Sequence, residues 1–556
     1  MTQLASINLE LNDSSLLIGE DSDWWRGAVI YQVYPRSFCD TNGDGIGDLR
    51  GIIKKLDYIA ELGVDALWIS PFFKSPMKDF GYDISDYRDV DPIFGSLADF
   101  DDLIAQAKQR GIKIMIDQVL SHTSDQHAWF IESRRSRTNA KADWYVWADA
   151  KEYGEAPNNW LSIFGGGAWQ WDSTRQQYYL HNFLRSQPDL NYHCDALREQ
   201  MLQELEFWLK RGVDGFRLDA VNFCYHDKQL RDNPFKPVEK RTGRGFSPEN
   251  PYAAQYHIYD NTQVENLAFI ESIRSLLDKY PGTVALGEIN SENSLESLSE
   301  YTQGNSRLHM GYNFELLADE FSPEHIRNTV TSLESVIGAG WPCWAVSNHD
   351  VIRVVSRWGN GKDNQQFAKM ALSLTASLRG TLCVYQGEEL GFTEAAIEKH
   401  QLKDPFGIEF WPEFKGRDGC RTPIAWNDEK PLAGFSCSSS WLPVAPAHIE
   451  QNVARQSNDA NSVLNYYRYF LKWRNQQQPL LRGDIEFLEA NDNLLVIKRD
   501  YQGDTLIGCF NLTDQPIEWQ PLPSLEPVQL GELDLGLTVL SNGYCLIQPY
   551  GFGYFR

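Results

Sequence analysis

Along the chain, short apolar runs alternate with longer stretches in which apolar residues recur every three or four positions. The short runs have strand length, and the longer ones carry the stripe of a helix packed on a sheet. Eight runs read as strands: 29–34, 66–70, 112–119, 215–221, 284–289, 310–316, 343–347 and 382–385. Helical stripes are expected over 49–62, 196–210, 267–279 and 463–474. Strand and helix alternating eight times predict an α/β protein whose parallel strands close into a (β/α)8 TIM barrel. In such a barrel the chemistry sits at the C-terminal ends of the strands.

Two connections are too long for plain loops, 121–191 and 387–458, and both leave from strand C-terminal ends. Insertions there usually shape a pocket. Beyond Arg482 the pattern turns to short alternating strands, with a hairpin signal in Leu494–Asp500, Gln502-Gly503 and Thr505–Asn511. The expected organisation is therefore a catalytic barrel over 1–121 and 190–480 with an inserted domain at 122–189 after the third strand. A subdomain at 388–458 within the eighth loop and a C-terminal antiparallel β-sandwich at 481–556 complete it.

Composition adds exclusions. With 42% hydrophobic and 23% charged residues, and no apolar run beyond strand length, a membrane-spanning helix is not expected. The first 23 residues lack a basic stretch, and their one apolar cluster, Leu16-Leu17-Ile18, is shorter than a signal core, so a cytoplasmic location is expected. Nine scattered cysteines without a C-x-x-C pair read as free thiols. A formal charge of −25 disfavours nucleic acid and anionic membranes and suits a small neutral substrate, bound by a monomer or homodimer.

Four acids then stand out at predicted strand ends: Asp117 in IMIDQVLSH, Asp219 in GFRLDAV, Glu288 in ALGEIN and Asp350 in AVSNHD. One such acid is more often a helix cap or turn residue, but four at one end of one barrel call for chemistry. Glycoside hydrolysis needs a carboxylate to attack the anomeric carbon and a carboxylic acid to protonate the leaving oxygen, about 5–5.5 Å apart in retaining enzymes. A third carboxylate can bind sugar hydroxyls and help keep the acid protonated. Arg217 shares a strand side with Asp219 by the period of two, so its cation would hold that carboxylate ionised.

Asp117 with His122, the G-F-R-L-D of 215–219, the G-E of 287–288 and the N-H-D of 348–350 resemble, in order, the four signature regions of the α-amylase superfamily of glycoside hydrolases. Q-P-D-L-N at 187–191 and V-I-Y-Q-V-Y-P-R-S-F at 29–38 are similar to its oligo-1,6-glucosidase and α-glucosidase branch. The resemblance runs from Trp24 to the end. It implies Asp219 as nucleophile, Glu288 as acid/base and Asp350 as transition-state stabiliser, with His122 and His349 binding sugar hydroxyls. It also implies a clamp on the terminal glucose made by Asp79 and Arg417, with Arg421 the less favoured partner. Tyr82, Phe164, Phe183 and Phe314 fall in pocket-like segments, and Ala220, after the nucleophile, accompanies α-1,4 preference in this branch.

The function so implied is a retaining, exo-acting α-glucosidase for maltose-like or sucrose-like glucosides, with transglucosylation and no organic cofactor. Its rivals are an oligo-1,6-glucosidase, a sucrose or trehalose isomerase, and a non-catalytic sugar-binding or partner subunit. The last would have lost the acids that this chain keeps.

The loop from Asp40 to Asp48 carries an EF-hand-like spacing, with Asp40, Asn42, Asp44 and Asp48 at positions 1, 3, 5 and 9 and the Ile46 carbonyl at 7. Gly51 stands where the bidentate Glu of an EF-hand belongs. The expectation is a structural Ca2+ or Mg2+ loop resembling that of the same branch, against the alternative of a metal-free Asx-rich turn.

Overall fold

Each of the eight apolar runs forms a strand, because runs this apolar are stable only with both faces covered. We number them β1 (Val29–Val33), β2 (Ala66–Ile69), β3 (Lys113–Val119), β4 (Gly215–Asp219), β5 (Val284–Glu288), β6 (Met310–Asn313), β7 (Pro342–Trp344) and β8 (Thr381–Tyr385). They pair in parallel, in sequence order, and β8 closes on β1 through Val29↔Leu382. The structure, a computed structural model, describes residues 22–241, 250–359, 365–488, 492–522, 524–531 and 533–556, so the cluster Leu16-Leu17-Ile18 lies outside the described residues.

The period of two along the strands sorts side chains into two cores. Ile30, Trp68, Met115, Leu286, Met310, Tyr312, Cys343 and Cys383 fill the barrel interior. Their neighbours Tyr31, Leu67, Ile116, Phe216, Ala285 and Val384 face outward against the helices. Register then decides what meets at the top: Asp117 lies beside Arg217, Val119 beside Asp219, and Arg217 beside Leu286. Arg217 and Asp219 thus share the inward face of β4.

The long insertion after β3 holds a helix, Ala128–Ser133, and a three-stranded antiparallel sheet of Trp147–Ala148, Gln177–Leu180 and Trp169–Asp172. It returns to the barrel at the bridge between His122 and Asp189. The connection after β8 proceeds by short helical turns to the helix Val463–Arg474. Two features were not foreseen. A two-stranded ribbon, Phe73–Lys74 with Asp86–Val90, follows β2, and a third long connection runs from β4 to the helix Asn266–Leu277. The expected helix over 49–62 is two helices, Leu49–Lys54 and Leu56–Glu61, joined at Lys55.

After the barrel, a four-stranded sheet (Asp484–Phe487, Leu494–Tyr501, Asp504–Asn511, Phe552–Phe555) faces a three-stranded one (Ile517–Trp519, Cys545–Ile547, Leu537–Val539). Val496, Cys509, Trp519 and Ile547, from both sheets, share one core. The hairpin turn is where the pattern put it, with Gln502 and Gly503 both at positive φ, 54° and 88°. Among the described residues no helix is long and apolar enough to cross a membrane.

Candidate active site

At the head of the barrel, one guanidinium organises three carboxyls. Arg217 Nη1 lies 2.6 Å from Asp219 and 2.8 Å from Asp117, and Nη2 lies 2.6 Å from Glu288. Glu288 Oε2 also accepts the Ala220 backbone N–H at 2.9 Å, so the end of β5 is tied to the end of β4. Ala220 makes that bond from a left-handed conformation, φ 40° and ψ 43°, in which a β-branched residue would be strained. Asp117 is fixed further by Trp68 Nε1 and Tyr82 Oη, both at 3.1 Å.

Burial pushes these carboxyls up despite the arginine: Asp117 to about 6, Asp219 to about 7 and Glu288 to about 8. One cation cannot balance three buried carboxylates, so a proton is retained, and it is held most firmly by Glu288. Glu288 is thereby suited to donate a proton and Asp219 to attack as an anion.

A second cluster faces the first. Arg417 joins Asp79 at 3.0 Å, Asp350 at 3.1 Å and Asp404 at 2.8 Å, while Arg421 reaches Asp350 at 2.8 Å and the His349 carbonyl at 2.6 Å. Burial alone would raise Asp350, but the guanidiniums of Arg417, Arg421 and Arg217 outweigh it and hold its carboxyl below the ordinary range. Asp79 moves the other way, pushed by burial to about 6, and stays ionised at neutral pH. Burial keeps His122 and His349 neutral, at about 4 and about 3. Of the two arginines in GRDGCR, Arg417 is the one that meets Asp79.

A cavity of about 150 Å³ lies between the clusters. Asp219, Glu288, Asp350, Asp79, His122 and Arg417 line it, with Tyr82, Phe164, Phe183, Ala220 and Phe314 among the walls. Arg217 and His349 do not line it: Arg217 sits beneath the carboxyls, and His349 stacks behind Tyr82 at 5.4 Å. Asp350 stands six residues past the end of β7 and not on the strand, and Asp117 sits two residues before the end of β3.

Asp404 and Gln187 were not picked out from sequence. Buried Asp404 grips Arg417 through its backbone N–H at 2.7 Å as well as its guanidinium. Its sequence signal, an Asp before Pro405, reads only as the cap of the short helix Pro405–Glu409, a role it also fills. Gln187 lies 3.0 Å from Asp79 and 3.2 Å from His122, joining clamp and histidine. It stands in Q-P-D-L-N, which was read as a signature without a role for that residue. Phe223 and Phe406 add to the apolar wall.

The Asp40–Asp48 loop folds as successive Asx turns: Asp40 accepts Asn42 N–H at 3.0 Å, Asn42 accepts Asp44 N–H at 2.9 Å, and Asp44 accepts Ile46 N–H at 2.8 Å. Asp48 caps the helix Leu49–Lys54 through Gly51 N–H. Gly45, at φ 92°, packs against Ser439, whose Oγ a Cβ would meet at 2.5 Å. The donors are all oxygens, and among the described residues no ion pair reaches these aspartates, which suits a hard cation. Among the described residues no three acids, histidines or cysteines gather around one point, so the turns account for the loop's shape unaided.

A (β/α)8 barrel with an aspartate and a glutamic acid of raised pKa on one buried arginine, beneath a sugar-sized pocket, defines a glycoside hydrolase. The sequence profile described as "Alpha amylase, catalytic domain" matches residues 32–483. The chain is 54% identical to a probable α-glucosidase of Rhizobium meliloti (strain 1021), over 93% of this chain and 94% of that protein. It is 38% identical to an oligo-1,6-glucosidase of Parageobacillus thermoglucosidasius, over 84% and 86%. Among solved structures, the α-glucosyl transfer enzyme XgtA superposes with TM-score 0.93 at 57% identity, covering 96% of this chain and 99% of that one. The chain belongs to the α-amylase superfamily, in its α-glucosidase and oligo-1,6-glucosidase branch.

Proposed function

We propose that the enzyme is a retaining, exo-acting α-glucosidase that takes a terminal α-1,4-linked glucose from short, maltose-like or sucrose-like substrates. Asp219 attacks the anomeric carbon while Glu288 gives its proton to the departing oxygen, leaving a glucosyl ester on Asp219. Glu288, now a carboxylate, takes a proton from water or an alcohol, whose oxygen displaces Asp219 and frees the sugar with its α configuration kept. The observation that carries this reading is the single guanidinium bridging Asp219 and Glu288, compatible with the short carboxyl separation of retaining enzymes.

Exo action is supported by the clamp: Asp79, Arg417 and Asp350 close the far wall of a cavity the size of one sugar ring. Ala220, small and left-handed, supports the α-1,4 preference. Transfer to alcohols is favoured by the apolar wall of Phe164, Phe183, Phe223, Phe314 and Phe406, which disfavours water beside the ester. The likeness to XgtA, an α-glucosyl transfer enzyme, points the same way.

The same reading assigns Ca2+ or Mg2+ to the oxygens of Asp40, Asn42, Asp44, Ile46 and Asp48, as a brace without a part in the reaction. It assigns the enzyme to a reducing, cytoplasmic setting, supported by nine cysteines that are all free.

Proton NMR of maltose hydrolysis tests the main reading. The first glucose released from the non-reducing end should be the α anomer, and Asp219→Asn should abolish release with the fold kept. Initial β-glucose, or isomaltose turned over faster than maltose, would contradict it; sucrose converted mainly to an isomer would favour an isomerase.

A further inference from the structure

Asp219 and Glu288 end neighbouring strands, but the ladder that joins those strands stops short of them. Its last pair is Leu218 with Gly287, which leaves the two carboxyl-bearing residues unpaired with each other. One side chain takes up the pairing beyond them. Asn222, three residues past Asp219, donates from Nδ2 to the Asn290 carbonyl at 2.7 Å, and its Oδ1 accepts the Asn290 N–H at 3.3 Å. A carbonyl only accepts and a peptide N–H only donates, so the two contacts fix which way the amide faces. Asn222 therefore meets both backbone groups of one residue, as a neighbouring strand would. It is wholly buried and does not line the catalytic pocket, whereas Asn290 does.

The same residue holds a strained neighbour in place. Its carbonyl accepts the Thr262 N–H at 2.7 Å, and its Nδ2 reaches Thr262 Oγ1 at 2.9 Å. Thr262 has φ 54°, a left-handed conformation that a β-branched residue rarely adopts, and Ala220, two residues before Asn222, is left-handed too. Such strain persists only where surrounding contacts impose it, and it gathers at functional sites. The side-chain partners of Asn222 lie 40 and 68 residues away, so it is no local turn cap. Arg217 and the Ala220 N–H grip the Glu288 carboxyl, and Asn222 grips the backbone two residues further on. Between the ladder at Gly287 and this clasp at Asn290, the main chain of Glu288 is fixed on both sides.

We propose that Asn222 is a positioning residue for proton donation, a role that rests on Glu288 being the acid. Its amide clasps the chain at Asn290 and so sets the Glu288 carboxyl against the leaving oxygen.

Two substrates separate this role from a general one. Maltose needs its leaving oxygen protonated and α-glucosyl fluoride does not, while both need Asp219. Asn222→Ala should lower kcat/KM for maltose about tenfold or more relative to that for the fluoride, the scale of a misplaced proton donor. A carboxyl loosened toward water loses its proton more readily, so the basic limb of the maltose profile should move to lower pH. Asn222→Asp, of the same shape but without the donor, should do the same. Glu288→Gln is the reference and should depress the maltose-to-fluoride ratio further. Equal losses on both substrates, or none, would overturn the proposal. So would failure of both Asn222 variants to fold, since Asn222 would then hold the fold and not the acid. If Glu288→Gln leaves the ratio unchanged, the acid assignment itself has failed, and the proposal falls with it.

Discussion

Arg217 touches Asp117, Asp219 and Glu288 at once and cannot neutralise all of them. The proposed reaction needs Asp219 ionised and Glu288 protonated, so kcat/KM should fall below about pH 7 as Asp219 takes up a proton and above about pH 8 as Glu288 loses one. The expected pH–rate profile is a narrow bell. In Glu288→Gln its basic limb should vanish for α-glucosyl fluoride, whose leaving group needs no acid; a basic limb that persists would assign it to another group. The same shift has a sign in stability. The folded pKa of Glu288 is raised, so folding is favoured while the group is protonated in both states, and that advantage is lost as pH rises toward 8. Glu288→Gln should therefore raise the melting midpoint more at pH 8 than at pH 5.

These side chains are delivered by segments of different kinds. Strand ends bring Asp117, Arg217, Asp219 and Glu288, and their arrangement was legible in the sequence because the period of two fixes which side each faces. Loops bring the rest: Asp79 and Tyr82 from the ribbon after β2, Gln187 from the end of the insertion, and Asp404 and Arg417 from the eighth connection. Irregular backbone has no period to read, so Arg417 was chosen only through a family likeness, and Asp404 went unnoticed because its partner is thirteen residues away. Asp404→Asn tests that buried contact. It should leave the circular dichroism spectrum unchanged and raise KM for maltose about tenfold or more, with kcat changed far less. A loss confined to kcat, or none, would mean that Arg417 holds its place without Asp404.

Distant parts of the chain are also riveted to one another. Arg499, in the C-terminal sheets, is buried and donates to the carbonyls of Ser377 at 2.8 Å and Leu378 at 2.9 Å, and Arg474 reaches Gly27 at 2.7 Å. The Asp40–Asp48 loop is held by the eighth connection, where Trp441 N–H reaches the Gly45 carbonyl at 3.0 Å and Ser438 bonds to Gly43. An ion bound there would brace both segments, so EDTA should lower the melting midpoint by several degrees, and added Ca2+ or Mg2+ should restore it, with KM unchanged. A midpoint indifferent to EDTA would leave the Asx turns sufficient. The proposed mechanism rests on Asp219 becoming bonded to the sugar. Mass spectrometry after reaction with 5-fluoro-α-glucosyl fluoride should find the fluoroglucosyl group on the peptide holding Asp219; the label on any other residue would contradict the assignment.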